Sequence, residues 1–182
     1  MSKVFIYGAP GAGKSSTSRH LKLLLNYPLI DGDYIRYCIA QLAKSETEAP
    51  FLYVGVKEAW RKFGSFSEEN VVRGLLAVRE ANKPFLDTEL ALYDRNVLME
   101  GPMIDPEYAH YGQAFLVITG DEEAHEAQFF KDRERTPENK QSFKASRIIQ
   151  SYLQDEAPQY GIEIVHNNDP ALLAQELAKR IG

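Results

Sequence analysis

Apolar and polar residues follow two different patterns along this chain. Short continuous apolar runs, bounded by polar or turn-forming residues, are typical of strands buried in a sheet. They predict five strands, at residues 4–7, 28–30, 97–99, 114–119 and 162–166. Between them, apolar residues recur at helical spacing, which predicts helices at 14–26, 34–43, 121–131 and 142–157, with a short helix near 57–63.

Three sets of capping and breaking residues predict further helix boundaries. Ser65 and Glu68 have the spacing of a capping box, so we expect them to open a long helix. Pro84 is expected to break or restart that helix, and the second part would run to Asp94. Asp169 is expected to cap the last helix, with the following proline at its first position.

The alternation of strands with helices predicts the fold class. Strands that are apolar on both faces, each followed by a helix, indicate a parallel sheet covered on both sides. With 182 residues, 44% of them hydrophobic, the chain is long enough for one core. We therefore predict a three-layer α/β fold in which residues 1–182 form a single domain.

Charge and cysteine content narrow the classes of partner. The net charge of −5 argues against a protein that coats nucleic acid or a membrane surface. No apolar stretch approaches the roughly 18 residues that span a bilayer. The single cysteine, Cys38, fits a reducing cytoplasm, and its apolar neighbours predict that it is buried. We expect a cytoplasmic protein that binds a small molecule, and not nucleic acid or membranes.

A glycine-rich loop directly follows the first predicted strand. It fills every fixed position of the pattern G-x-x-x-x-G-K-S/T between a strand and a helix. Glycines let backbone N–H groups surround phosphate oxygens, Lys14 reaches the terminal phosphates, and the hydroxyl of Ser15 binds Mg²⁺. The expected nucleotide-binding residues of this loop are Gly8, Ala9, Pro10, Gly11, Ala12, Gly13, Lys14, Ser15 and Ser16.

Two large classes of nucleotide-binding protein do not fit the rest of the sequence. GTPase switches carry D-x-x-G, and no glycine here has an aspartate three residues before it. The guanine-binding pattern N-K-x-D begins at Asn139 but ends in Ser142. The chain has no room for the helical subdomain of an AAA-type motor. A small phosphotransferase remains.

Acidic residues follow the second and third strands, where ligands bind in open parallel sheets. Asp33 is expected to orient the acceptor hydroxyl and take its proton, and Asp31 to be a turn residue. Glu100 is expected either to hold Mg²⁺, directly or through water, or to contact the substrate. Arg36 and Arg73 are expected to bind an acidic or phosphorylated group of the acceptor.

A polar segment at residues 132–141 is expected to form a mobile lid. Arg133 and Arg135 in this segment, and Arg147 on the next helix, are expected to bind the phosphates and neutralise the transferred group. Arg133 would also contact the nucleotide. Asn167 lies in the loop after the fifth strand and is expected beside the adenine ring.

Taken together, these features resemble the small P-loop kinases of the shikimate, gluconate and adenylate kinase type over nearly the whole chain. The resemblance implies a strand order of 2-3-1-4-5, with ATP and Mg²⁺ as cofactors. Residues 142–153 and 161–165, with the segment Asp33-Tyr34-Ile35-Arg36, are similar to archaeal 2-phosphoglycerate kinases. That likeness implies an acceptor hydroxyl on a small acid. Within the expected acceptor-binding region, 34–83, the segment 44–64 matches neither family.

The sequence therefore predicts an ATP- and Mg²⁺-dependent kinase with a small acidic or phosphorylated acceptor, similar to 2-phosphoglycerate kinase. Two alternatives remain open at this point. One is a nucleoside monophosphate kinase, and the other is a nucleotide-binding regulatory protein that transfers no phosphoryl group.

Overall fold

The computed structural model describes residues 3–182 and contains one five-stranded parallel sheet. The strand order is β2-β3-β1-β4-β5, which confirms the order that the resemblance implied. All four neighbouring pairs are parallel, so the carboxyl ends of the strands lie at one edge of the sheet. The strands are β1 (Lys3–Tyr7), β2 (Leu29–Asp31), β3 (Val97–Glu100), β4 (Gly112–Ile118) and β5 (Glu163–His166).

Helices cover both faces of this sheet, as the alternation of elements predicted. The α-helices are α1 (Lys14–Leu25), α2 (Gly32–Ile35), α3 (Gln41–Ala43), α4 (Glu68–Leu90), α5 (Glu122–Phe129), α6 (Pro137–Glu156) and α7 (Pro170–Ile181). A π-helical turn, Arg36–Ala40, joins α2 to α3. Short 3₁₀ turns lie at Pro50–Leu52, Ala59–Lys62, Pro106–Tyr111 and Ala157–Tyr160. Among residues 3–182, no helix is long and apolar enough to span a membrane.

The two faces of the sheet build two separate cores. Successive side chains of a strand point to opposite faces. In β1, Phe5 and Tyr7 pack into the core that contains α4 and α6, while Val4 and Ile6 pack into the core that contains α1 and α7. Because β1 is the central strand, it is fully buried on both sides, and the loop that follows it leaves the sheet at its middle.

The long helix α4 differs from the prediction at both ends and in its middle. Ser67 caps it, not Ser65, because the Ser67 hydroxyl accepts a hydrogen bond from the Asn70 N–H at 3.2 Å. The helix continues through Pro84 and ends at Leu90, so the predicted break and the extension to Asp94 are wrong. Pro84 is exposed, so the carbonyl oxygen that loses its partner one turn earlier can bind water.

Two further differences affect the regions expected to bind ligands. Helix α6 begins at Pro137, capped by Thr136, so the non-helical part of the expected lid ends several residues before 141. Cys38 is exposed and not buried. It lies in the π-helical turn, where the wider spacing directs Arg36 and Ala40 inward and leaves Cys38 on the solvent side.

A buried ion pair joins α4 to α6. The Arg79 guanidinium donates two hydrogen bonds to the Glu156 carboxylate, at 2.8 and 2.9 Å, and both side chains are more than nine-tenths buried. A bidentate pair of this kind satisfies both charges, whereas the removal of either partner leaves a buried charge without compensation.

We expect Glu156→Gln to lower the free energy of unfolding by about 3 kcal/mol, because the Arg79 charge would stay buried without its partner. Urea unfolding followed by circular dichroism measures this change. As a control, Glu46→Gln removes the partner of Lys62 at the surface, and it should cost less than about 1 kcal/mol. Equal losses in the two variants would contradict the assignment of Arg79–Glu156 as a structural pair.

Candidate nucleotide and acceptor site

The loop between β1 and α1 has the backbone of a phosphate-binding loop. Gly11 and Gly13 have φ angles of 84° and 86°, in the left-handed region that glycine adopts without strain. A Cβ on Gly13 would lie 2.0 Å from the Asn167 Nδ2, so no larger residue fits there. No side chain among residues 3–182 caps α1, and its first N–H groups therefore remain available to an anion.

Two buried opposite charges lie at the carboxyl edge of the sheet beside this loop. Lys14 is 7% exposed at the start of α1, and Glu100 is 4% exposed at the end of β3. Burial raises the pKa of the Glu100 carboxyl above its ordinary value of 4.5, and the positive charge of Lys14 opposes that rise. The nearby Ser15 hydroxyl, as a hydrogen-bond donor, also opposes the rise in the pKa of Glu100, while the carboxylate oxygen Oε2 has no partner in the described part of the chain.

This arrangement fits a hard divalent cation. Mg²⁺ prefers oxygen ligands, and the Ser15 hydroxyl and the unpartnered Glu100 Oε2 are two such ligands beside the phosphate-binding loop. A cation there would also remove the cost of burying the Glu100 charge. The residues present are thus compatible with Mg²⁺ next to the phosphates of a nucleotide.

One open cleft of about 810 Å³ joins the regions that the sequence assigned to nucleotide, acceptor and lid. Lys14 and Ser15 line it from the loop side, Asp33 and Arg36 from α2 and the π-helical turn, and Arg133 from the segment before α6. Parallel strands bring these segments together because each one follows or faces the carboxyl end of a strand.

The two aspartates after β2 have separate tasks. The Asp31 carboxylate caps α2 by accepting hydrogen bonds from the N–H groups of Asp33 and Tyr34, at 2.9 and 3.2 Å. The Asp33 side chain is therefore not used as a cap, and 48% of it is exposed to the cleft. The role of Asp33 toward an acceptor hydroxyl stays a prediction.

Arg36 is 4% exposed but directs its guanidinium toward the cleft. Its Nη2 lies 3.1 Å from Asp33 Oδ1, and its Nη1 donates to the Val54 carbonyl at 2.8 Å. Its Nε, which is buried, has no hydrogen-bond partner among residues 3–182. A buried donor without a partner beside a polar cleft is suited to an anionic group of a ligand.

Of the two arginines expected in the lid, one lines the cleft. The Arg133 guanidinium lies 4.6 Å from the centre of the Phe129 ring and donates to the Phe129 carbonyl. Arg135 lies outside the cleft, where it is paired with Glu126 and stacked on Phe130.

Three other expected site residues also lie elsewhere. Arg73 is exposed on α4 with its guanidinium 4.4 Å from the centre of the Phe63 ring. Arg147 donates to the Thr119 carbonyl at 3.1 Å. Asn167 is buried beneath the glycine-rich loop and donates to the Ala12 carbonyl at 3.0 Å, so it supports the loop and not an exposed base site.

Sequence reasoning missed two groups of residues that contact the site. Lys57 and Glu58 form an ion pair that lines the cleft. They lie in the segment 44–64, which has no periodic pattern that would orient them. His125 and Ser146 both hydrogen-bond to the Pro10 carbonyl of the glycine-rich loop. Neither has a sequence spacing that relates it to that loop.

No family model matches this chain. A sequence comparison finds mevalonate-3-phosphate 5-kinase of Thermoplasma acidophilum, 32% identical over 74 residues. The matched segment is 40% of this chain, and the chain spans only about a third, 35%, of the length of that relative.

Solved structures match over nearly the entire chain at low identity. Shikimate kinase from Acinetobacter baumannii, in complex with shikimate, has a TM-score of 0.62 and 17% identity, covering 100% of this chain and 93% of its own. Shikimate kinase from Bacteroides thetaiotaomicron gives 0.58 and 19%, covering 98% and 95%. Deoxyadenosine kinase from M. mycoides with bound dATP gives 0.55 and 12%, covering 98% and 97%. This chain therefore has the fold of the small P-loop kinases.

Proposed function

We propose that this protein is an ATP-dependent phosphotransferase that phosphorylates a hydroxyl of a small acidic or phosphorylated metabolite. The observation that carries the proposal is the shared cleft, in which Lys14 and Ser15 of the phosphate-binding loop face Asp33 and Arg36. The kinase-fold neighbours and the kinase found by sequence support this reading. In the proposal, the protein holds both reactants in one cleft, which lowers the entropic cost of transfer.

The nucleotide would bind with its phosphates on the glycine-rich loop. The N–H groups at the start of α1 and the charge of Lys14 stabilise negative charge on the phosphates, and more so as charge develops during transfer. Arg133 lines the same cleft and adds a second cation near the transferred group. Arg135 would join it only after releasing Glu126.

Ser15 and Glu100 would hold Mg²⁺, as their oxygen atoms suit it. The cation would supply charge neutralisation at the phosphates when it is bound. Ser15 lies in the first turn of α1 and Glu100 at the end of β3, so the two side chains would hold the cation at the carboxyl edge of the sheet, beside the glycine-rich loop.

Asp33 would act on the acceptor. Its carboxylate accepts the proton of the acceptor hydroxyl as the hydroxyl oxygen bonds to the γ-phosphorus and the bond to the β-phosphate oxygen breaks, which leaves ADP. The ion pair with Arg36 fixes the carboxylate toward the cleft.

The acceptor would carry its own negative charge. The Arg36 guanidinium lines the cleft, and Lys57, which is paired with Glu58, adds a second cation to its lining. These groups suit a carboxylate or phosphate, as in 2-phosphoglycerate, which is the acceptor class that we favour. The kinase found by sequence is likewise named for a phosphorylated acceptor, mevalonate 3-phosphate.

The proposal is tested by ADP release from ATP in the presence of separate acceptor pools. We expect ADP release to depend on small hydroxy acids or their phosphates, and Lys14→Ala to reduce turnover about 100-fold or more through loss of charge stabilisation. Lys22→Ala, on the exposed end of α1, is the matched control and should retain turnover. Dependence on nucleoside monophosphates would indicate a nucleoside monophosphate kinase, and ATP binding without transfer to any pool would indicate a regulatory protein.

Asp33→Asn is expected to keep the affinity for ATP while turnover falls about 100-fold or more, because an amide does not accept the hydroxyl proton. Binding calorimetry with ATP and steady-state turnover separate the two effects. Asp94→Asn, at an exposed position remote from the cleft, serves as the control. A loss of ATP affinity equal to the loss of turnover would instead assign Asp33 to the nucleotide side.

Glu100→Gln is expected to keep or raise the thermal stability of the protein but to weaken its use of Mg²⁺. The raised pKa shows that burial penalises the charged carboxylate, so the neutral amide should leave the thermal midpoint without nucleotide unchanged or higher. The Mg²⁺ concentration for half-maximal turnover should rise at least about tenfold. Differential scanning fluorimetry and a Mg²⁺ titration measure these effects, with the exposed Glu107→Gln as control. A Mg²⁺ dependence like that of the wild type would remove Glu100 from the metal site.

A further inference from the structure

One carbonyl of the glycine-rich loop is held from outside by two side chains. His125 on α5 is fully buried, and its Nε2 lies 2.9 Å from the Pro10 oxygen. Ser146 on α6 donates to the same oxygen at 2.5 Å. Gly11, the next residue of the loop, packs directly on His125, because a Cβ there would lie 3.2 Å from Nε2. The imidazole is therefore part of the wall against which the loop is folded.

The partners of His125 determine which nitrogen carries the proton. A carbonyl oxygen only accepts hydrogen bonds, so Nε2 must carry a hydrogen to bond to Pro10. On the other side, Arg147 Nη1 lies 3.3 Å from Nδ1, and a guanidinium only donates. Nδ1 must therefore be without a proton. Only the neutral imidazole with its hydrogen on Nε2 satisfies both contacts.

A second carbonyl of the loop is held in the same way. The Ala12 oxygen accepts from the Asn167 side chain at 3.0 Å and from the Thr119 hydroxyl at 3.4 Å. With alternate carbonyls bound to the protein, and glycines with positive φ between and after them, the N–H groups of the loop can turn toward the cleft. The contact from His125 thus bears on the part of the loop that would meet phosphate.

We propose that His125 is a positioning residue for the nucleotide, whose neutral imidazole holds the glycine-rich loop by donating to Pro10 while accepting from Arg147. Protonation would leave the donor to Pro10 in place but would remove the acceptor at Nδ1 and set a second positive charge against Arg147, which would push the imidazole and the loop apart from α6. The inference rests on the proposed function, since it takes ATP as the ligand of this loop. His125 touches neither nucleotide nor acceptor in this account. It acts through the Pro10 carbonyl, and Arg147 acts through His125.

Burial and the positive charge of Arg147 both lower the pKa of His125 and so favour the neutral imidazole that this role requires. Burial lowers the pKa of His125 from its ordinary value of 6.5, the hydrogen bond to Pro10 opposes that shift, and the charge of Arg147 on α6 lowers the pKa further. Glu122 on the same helix raises it slightly, and Lys14 on α1 lowers it. The unfolded chain therefore takes up the proton first. Stability is complete above about pH 6.5 and falls as the pH drops toward the lowered pKa.

The test measures the dissociation constant of ATP from pH 5.5 to 8 for the wild type, His125→Gln and His125→Phe. A glutamine amide can donate to the Pro10 carbonyl but does not titrate, whereas phenylalanine fits among the neighbouring rings and donates nothing. We expect the affinity of the wild type to fall more steeply than that of His125→Gln as the pH approaches 5.5, and by less than about tenfold, because the lowered pKa leaves part of the imidazole neutral at that pH. His125→Phe should bind ATP about tenfold more weakly at every pH.

His110→Gln, an exposed substitution, controls for the titration of ATP itself and of other groups. The kcat at saturating ATP should stay within about threefold of wild type in His125→Gln, because the residue acts on the loop before chemistry. Nitrogen-15 shifts of the wild-type imidazole, assigned by their loss in His125→Gln, should show a neutral ring with hydrogen on Nε2 at pH 6.5.

The outcomes separate this inference from the proposed function. If the wild type does not bind ATP at pH 7.5, the proposed function fails and this inference fails with it. If the wild type binds ATP but the pH profiles of wild type and His125→Gln are parallel, or the ring carries its hydrogen on Nδ1, only the role of His125 is overturned. Should His125→Phe fail to fold, the comparison of wild type with His125→Gln still decides.

Discussion

The burial of Lys14 beside Glu100 is the constraint on which the rest of the site depends. Each charge would be costly to bury alone, and among residues 3–182 the Glu100 carboxylate keeps one buried oxygen without a partner. The two charges lie together because β1 and β3 are neighbouring strands whose carboxyl ends lie side by side. Lys14 follows β1 at the start of α1, and Glu100 is the last residue of β3. The two charges thus form an incomplete set that a polyanion and a cation would complete together.

The glycine-rich loop is held by contacts that keep its backbone N–H groups from turning back into the protein. Backbone N–H groups that face an open cleft tend to find partners in the protein itself. Here the carbonyls of Pro10 and Ala12 are bound on the outer side by His125, Ser146 and Asn167, which limits how the loop can turn. The site is therefore preorganised by contacts on the side remote from the ligand, where no phosphate-binding pattern in the sequence would indicate them.

Sequence reasoning succeeded where one physical requirement fixes residue type and spacing together. The strands followed from continuous apolar runs, since both faces of a parallel sheet are buried, and the loop followed from the spacing of its glycines and Lys14. It failed where a position depends on tertiary packing. Pro84 was tolerated in an exposed turn of α4, and the π-helical turn exposed Cys38. Arg73 and Arg147 have the charge that the site needs, but packing directs them to Phe63 and Thr119.

The segment that carries Lys57 and Glu58 is also linked to the first turns of α6. Glu58 lies 3.5 Å from the Ser142 hydroxyl, and Arg61 pairs with Glu138 at 2.7 Å, so both contacts reach α6 just after the segment that holds Arg133. The Arg61–Glu138 pair is largely exposed, and such pairs contribute about 0–1 kcal/mol. Because such a pair is weak, it connects the segment 44–64 to α6 without locking the two together.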